Sequence, residues 1–192
     1  MENNTNLYSP QWVSTEQLPK DLYSEILPGL FMGGTHDDDV IDVQCSKKHL
    51  IAKSKFDAVI TMYASAKPVD WHVQEIRFGV YDGSMSQIDI KRLMETAYWG
   101  YQKWLSGDQV LIRCQAGLNR SGLITALILM FDGLKAEDAI RLIRKNRAEI
   151  ALINNQFVDW LVHEATDVIQ NYAKSGLGYI LNNNQNDETK AS

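Results

Sequence analysis

The chain has 192 residues, enough for one ordinary domain and too few for two. Hydrophobic residues make up 45% and charged residues 22%, which is globular usage and excludes collagen-like, low-complexity and wholly disordered chains. The net charge of −5 creates no global field toward nucleic acid or an anionic membrane, so an anionic substrate needs a local positive site.

Residues 1–24 mix polar and turn residues with Pro10 and Pro19 and read as an N-terminal extension. Met1 to Thr5 lack the basic start and apolar core of a signal peptide. Ile26 to Met32 is expected to open the sheet, ending at Gly33-Gly34. Asp37, Asp38 and Asp39 with Asp42 lack the glycine and distal glutamate of a calcium loop and read as a solvated turn. Phe56 to Tyr63 and Glu75 to Tyr81 are β-branched and aromatic runs that suit strands. From Ser86 the period changes. Ile90, Leu93, Met94, Ala97, Tyr98, Tyr101, Trp104 and Leu105 recur at helical spacing, behind a capping-box-like start at Ser86 to Asp89. Ser106-Gly107-Asp108 closes that helix, and Gln109 to Arg113 is a short apolar strand. Gly122 to Phe131, at ten residues, is too short to span a bilayer and reads as a buried helix beginning near Ser121. Ala136 to Asn146 and Gln156 to Tyr172 are amphipathic helices. The polar end cannot offset its ordering entropy, so the domain is expected over 25–173 with a disordered tail over 174–192.

Strands interleaved with helices predict an α/β fold: a central, mostly parallel or mixed sheet with helices on both faces. The passage from Tyr81 to Gln109 fits a βαβ crossover. Cys45 and Cys114 form no CxxC and no disulfide framework, which points to a reducing, cytoplasmic protein with no membrane partner.

The segment that carries chemistry is Cys114-Gln-Ala-Gly-Leu-Asn-Arg120-Ser-Gly122. A buried strand delivers Cys114 to the carboxyl edge of the sheet, where ligands bind in open α/β folds. A tight loop then feeds a helix N-terminus, whose N–H groups and dipole favour an anion. Gly117 lets the backbone curl closely, and Arg120 presents a planar fork for phosphate oxygens. The same field favours the thiolate form of a cysteine, the form that attacks phosphorus. The Ser121 hydroxyl is placed to hydrogen-bond that sulfur when it departs. A buried structural cysteine with a surface arginine is the blander alternative, and it leaves the strand, glycine, arginine and helix start as coincidence.

Cys-x5-Arg-Ser resembles the signature of the cysteine-based protein tyrosine phosphatases, and the Ala-Gly in the loop looks most like their compact dual-specificity branch. Ile26 to Gly34, Asp138 to Arg147 and Ile153 to Phe157 are similar to flanking family segments, so the resemblance covers most of 25–165. The family usually places His before the nucleophile; here Arg113 stands there, as an expected donor to the loop and a source of positive charge. The residues alone leave Asp82 and Asp89 as acids ahead of Cys114, with an Asp-Gly turn as the alternative reading of Asp82. The separation of the family's acid loop from its nucleophile singles out Asp82. His36, His49, His72 and His163 show no spacing that joins them to the loop.

The resemblance implies a two-step phosphatase. Cys114 is nucleophile, Asp82 general acid and then base, and Ser121 eases thiolate departure. Gln115, Ala116, Gly117, Leu118, Asn119 and Arg120 hold the phosphate. No metal and no cofactor are expected, and a phosphorylated protein is the expected partner. Neutral Gln115, Ala116, Leu118 and Asn119 disfavour highly charged phosphoinositides, and the acidic balance disfavours RNA 5′-triphosphate ends. Outside the class, a rhodanese-type sulfurtransferase or an inactive phospho-binding module would also use an anion-cradling loop.

Overall fold

The computed structural model describes residues 7–8, 18–35 and 55–175. Cys45, His36, His49, the acidic run at 37–42 and the tail beyond 175 lie outside the described residues.

β1 (Tyr23–Leu27) and β2 (Leu30–Gly33) form an antiparallel hairpin, where the apolar run alone predicts one strand through Ile26 to Met32. The cause is local. Pro28 has no amide to donate and Gly29 takes a φ of +82°, so the chain reverses between the two halves. β3 (Ala58–Thr61), β4 (Gln74–Arg77) and β5 (Val110–Arg113) complete a five-stranded mixed sheet in the order β1-β2-β5-β3-β4. These strands are shorter than the apolar runs that predict them, because pairing stops where the chain turns into the loops above the sheet.

β5 is central, parallel to β2 on one side and β3 on the other, with Ile112 opposite both Met32 and Ile60. All of its residues are buried, and a strand covered on both faces needs no polar alternation. The expected βαβ crossover runs from β4 through α1 (Ile90–Leu105) to β5, passing over β3.

α1 begins at a different cap from the one the sequence pattern suggests. Asp89 is the N-cap, its Oδ1 accepting from the Arg92 N–H at 3.1 Å. Ser86 instead sits inside one 3-10 turn, Met85–Gln87, capped by Ser84. α2 (Arg120–Phe131), α3 (Ala136–Asn146) and α4 (Asn155–His163) follow, and 165–175 is helical again. The single helix expected over Gln156 to Tyr172 therefore breaks at Glu164, whose φ of −120° leaves the helical range. No residue type there signals the break.

Arg120 through Met130 are all buried in α2, which is apolar around its whole circumference because α1, α3, α4 and the sheet surround it. Leu30, Met32, Ile60 and Ile112 meet Leu93, Ala97, Ile124 and Ile128 in the main core. The alternate strand residues Phe31, Val59 and Leu111 join Phe56 and Val73 in a smaller cluster on the opposite face. The α/β layer fold stands as predicted, a central sheet flanked by helices. Among the described residues the helices gather on the main-core face, where the sequence reading places helices on both; residues 36–54 lie outside the description. No helix among the described residues is long and apolar enough to cross a membrane.

Asp89→Ala is expected to cost about 1 kcal/mol through loss of the cap. Ser86→Ala should stay within about 0.5 kcal/mol. Urea denaturation of both variants checks the assignment; equal losses would contradict it.

Candidate active site

Cys114 follows β5 at the carboxyl edge of the sheet, its N–H bonded to the Gly33 carbonyl at 3.1 Å. Its side chain is 2% exposed. The chain from Cys114 to Asn119 curls over the start of α2 and rests on the end of β2. At Gly117 φ is +68°, and a Cβ would stand 2.3 Å from the Gly33 carbonyl carbon and 2.4 Å from the Gly34 nitrogen. Only glycine meets both conditions.

The peptide groups of this loop are sorted by polarity. Gln115 O accepts from Thr35 N–H at 3.0 Å, Leu118 O from Leu152 N–H at 3.1 Å and Asn119 O from Leu123 N–H at 2.8 Å. Gly117 O accepts from Arg147 Nε at 3.1 Å. By contrast, none of the backbone N–H groups from Gln115 to Asn119 has an acceptor among the described residues. Unspent donors at a helix start make an anion site.

Arg120 adds charge to the same place. It is 9% exposed, and its Nε is buried with no hydrogen-bond partner among the described residues. Nη1 reaches Val80 O at 3.4 Å and Nη2 reaches Gln115 Oε1 at 3.5 Å, both long contacts. The Ser121 Oγ lies 3.3 Å from the Cys114 Sγ, within hydrogen-bonding reach of the sulfur.

Asp82 arrives on the loop after β4 and is held through both oxygens. Oδ2 accepts from Asn119 Nδ2 at 3.2 Å and Oδ1 from Asn154 Nδ2 at 3.1 Å. Its Oδ2 is 3.9 Å from Arg120 Nε, and the side chain stays 35% exposed, open to a leaving group or water. The structure thus gathers Cys114, Asp82, Arg120, Ser121 and the Gln115–Asn119 backbone in one place. Asp89 stays apart as the α1 cap.

Arg113 does otherwise than expected. Neighbouring residues of a strand point to opposite faces, so with Cys114 on the helix side Arg113 turns away from the loop. Nε donates to Thr61 Oγ1 at 2.9 Å, and Nη2 donates to Lys67 O at 2.6 Å and Glu75 Oε1 at 3.2 Å. Burial pushes its guanidinium below the ordinary arginine value, with Glu75 opposing the shift. It makes no hydrogen bond to the loop backbone.

The loop's arginine is instead Arg147, which the sequence reading did not single out. It is buried, and besides Gly117 O it donates to Asp21 O at 2.7 Å, Leu22 O at 3.1 Å and Ser24 Oγ at 3.2 Å. Burial lowers its pKa, while the charges of Cys114 and Asp21 act to raise it. Asn154 was missed too, although it caps α4 while holding Asp82 and donating to Gly83 O at 3.0 Å. Leu152 takes a φ of +57°, rare for leucine, and in that conformation its N–H meets the loop at Leu118 O. The family resemblance includes Arg147 and Asn154 only as members of flanking segments, and no spacing links 147, 152 or 154 to the loop.

His72 meets Trp71 edge-on and His163 lies 3.5 Å from Asp159; both are exposed. Among the described residues no group of three or more His, Cys, Asp or Glu gathers as a metal site would require.

Residues 41–167 match the family model described as dual specificity phosphatase, catalytic domain. No curated protein matches the chain by sequence. Among solved structures, a mouse putative dual specificity phosphatase complexed with zinc tungstate superposes with a TM-score of 0.63 at 16% identity, covering 85% of this chain and 97% of its own. PTPMT1 in complex with PI(5)P gives 0.62 at 19%, covering 80% and 99%. The human tyrosine phosphatase-like serine/threonine/tyrosine-interacting protein gives 0.59 at 20%, covering 79% and 97%. At these identities the structures show a shared fold.

Gly117→Ala is expected to destabilise by more than about 2 kcal/mol, since it adds a backbone clash to conformational strain. Gly133, at φ +102° with nothing near its Cβ position, supplies the control. Gly133→Ala should cost about 1 kcal/mol. Urea midpoints that fall equally would remove the close approach as a constraint.

Proposed function

The chain belongs to the dual specificity phosphatase catalytic-domain family, and we propose that it hydrolyses phosphate monoesters on proteins through a phosphocysteine intermediate. Phosphotyrosine and phosphoserine or phosphothreonine are both proposed substrates. One observation carries the reading: among the described residues, consecutive backbone N–H groups from Gln115 to Asn119 have no acceptor, and they share a loop with a buried Arg120 Nε that has none either. Such donors, left unspent by the protein, match the equatorial oxygens of a transferring phosphoryl group.

In the first step the Cys114 thiolate attacks phosphorus in line, forming the S–P bond as the ester P–O bond breaks. Asp82 gives its proton to the departing oxygen, which is a poor leaving group as a bare alkoxide. In the second step a water attacks phosphorus, Asp82 takes the water's proton, and the S–P bond breaks to release inorganic phosphate. The returning thiolate accepts a hydrogen bond from Ser121, consistent with the 3.3 Å contact. Arg120 and the loop amides hold the oxygens in both steps.

Neutral side chains at Gln115, Ala116, Leu118 and Asn119 support a single phosphoester over a polyphosphorylated headgroup. PTPMT1 is a neighbour in fold and is bound to PI(5)P, so that lipid belongs in the substrate panel.

Cys114→Ser is expected to abolish hydrolysis of an aryl phosphate, and Asp82→Asn to slow it by about 10²- to 10⁴-fold. Orthovanadate should inhibit, and EDTA should leave the rate unchanged. Wild-type turnover by Cys114→Ser would end the reading, whereas an unaffected Asp82→Asn would remove only the acid. Phosphopeptides should outpace PI(5)P and a triphosphate RNA end; the reverse order would reassign the substrate.

A further inference from the structure

A guanidinium that binds phosphate faces conflicting demands. It has to be held still before the anion arrives, yet each hydrogen bond that holds it consumes a donor the anion needs. Arg120 resolves this in an unusual way. Among the described residues its protein acceptors are distant, at 3.4 and 3.5 Å, and its buried Nε has none. Besides the Asp82 carboxylate, whose Oδ2 at 3.9 Å from Nε is beyond hydrogen-bond reach, the ring of Tyr63 lies against it, with the Arg120 Cζ 5.3 Å from the ring centroid. An aromatic ring attracts a cation through its quadrupole and leaves the N–H groups uncommitted.

We propose that Tyr63 is a positioning residue, whose ring fixes the Arg120 guanidinium for phosphate while leaving its donors unspent. The proposal rests on the phosphatase reading for its purpose.

The loop that carries Tyr63 is built to keep the ring in place. Tyr63 O accepts from Ala66 N–H at 3.2 Å, closing a turn just beyond β3. Arg77 donates to Ala64 O at 3.3 Å and Ala66 O at 2.6 Å, and Arg113 donates to Lys67 O at 2.6 Å. Both arginines also bond Glu75 Oε1, at 2.9 and 3.2 Å, so a single carboxylate fastens the clasp to β4. Gly79 presses on the same loop, since a Cβ there would stand 2.8 Å from the Ala64 Cβ. Arg113 therefore serves the site indirectly. From the residue before the nucleophile it reaches across the opposite face and ties the end of β5 to the segment that presents Tyr63.

The test reads phosphate binding without turnover, in the full chain, from the protection that inorganic phosphate gives Cys114 against iodoacetamide. Tyr63→Phe keeps the ring and should stay within about twofold of wild type. Tyr63→Leu and Tyr63→Met remove it and should weaken phosphate binding about 3- to 30-fold, the span of cation–π attraction from exposed to desolvated sites. Their alkylation rates without phosphate should match wild type, as an intact loop requires. With an aryl phosphate the same two variants should lose kcat/KM in parallel with phosphate affinity, and Tyr63→Phe should not. Wild-type phosphate affinity in Tyr63→Leu overturns the proposal, as does a Tyr63→Phe loss as large as that of Leu. A changed alkylation rate without phosphate in both non-aromatic variants also overturns it, because the loop itself would have collapsed. A chain that turns over substrate with phosphate binding indifferent to Tyr63 ends this proposal alone. One that shows the expected binding pattern but hydrolyses no phosphoester ends the phosphatase reading alone.

Discussion

A peptide loop attracts an anion best when its N–H groups stay free while its carbonyls are satisfied elsewhere, and the segment after β5 meets that condition at four carbonyls. Thr35, Leu152 and Leu123 supply backbone donors to the carbonyls of Gln115, Leu118 and Asn119, and Arg147 supplies Gly117. A carbonyl left without a donor could turn inward and cancel the field. The four partners come from the end of β2, the turn before α4, the helix itself and the end of α3. The polarity of a short loop is thus a property of the whole domain, and the close approach of Gly117 to Gly33 and Gly34 is where those elements converge.

Charge is arranged by the same economy. Arg147 is buried behind the loop, with its donors committed to carbonyls and one hydroxyl, so it stiffens the backbone and contributes a field from the rear. Arg120 stands in front with its donors mostly uncommitted. A buried arginine without a bonded carboxylate is costly, and burial lowers the Arg147 pKa accordingly. Negative charge at Cys114 and at Asp21 acts in the opposite sense and raises it.

Much of this was legible in the sequence, for reasons that differ by element. β5, the loop and α2 announce themselves locally: a largely apolar strand, a glycine, an arginine and a largely apolar helix are contiguous, and no distant residue is needed to recognise them. Asp82 required knowledge of a family separation, since an Asp-Gly pair alone reads equally well as a turn. Pro28-Gly29 carried a turn signal that the surrounding apolar residues concealed. The direction of Arg113 was also available, because strand alternation sends it to the face opposite Cys114. Arg147, Asn154 and Tyr63 were out of reach. Their contacts to Gly117, Asp82 and Arg120 join residues 30 to 72 positions apart, or a ring to a cation, and no periodicity encodes such pairs.

Asp82 and the Cys114–Arg120 loop are not independent parts. Asn119, inside the loop, donates its Nδ2 to Asp82 and accepts the Asn154 N–H at its Oδ1, at 3.0 Å. Asn154 closes the circuit by donating its own Nδ2 to Asp82 and accepting the Gln156 N–H as the α4 cap. A shift in any one member therefore moves the others. Because both amides are neutral, they orient the carboxylate without the tight ion pair that a lysine or arginine would make. The nearest cation, Arg120 Nε at 3.9 Å, is too far for a hydrogen bond. The Asp82 carboxyl group is thereby oriented beside the loop by neutral donors alone, while its side chain stays 35% exposed to an incoming molecule.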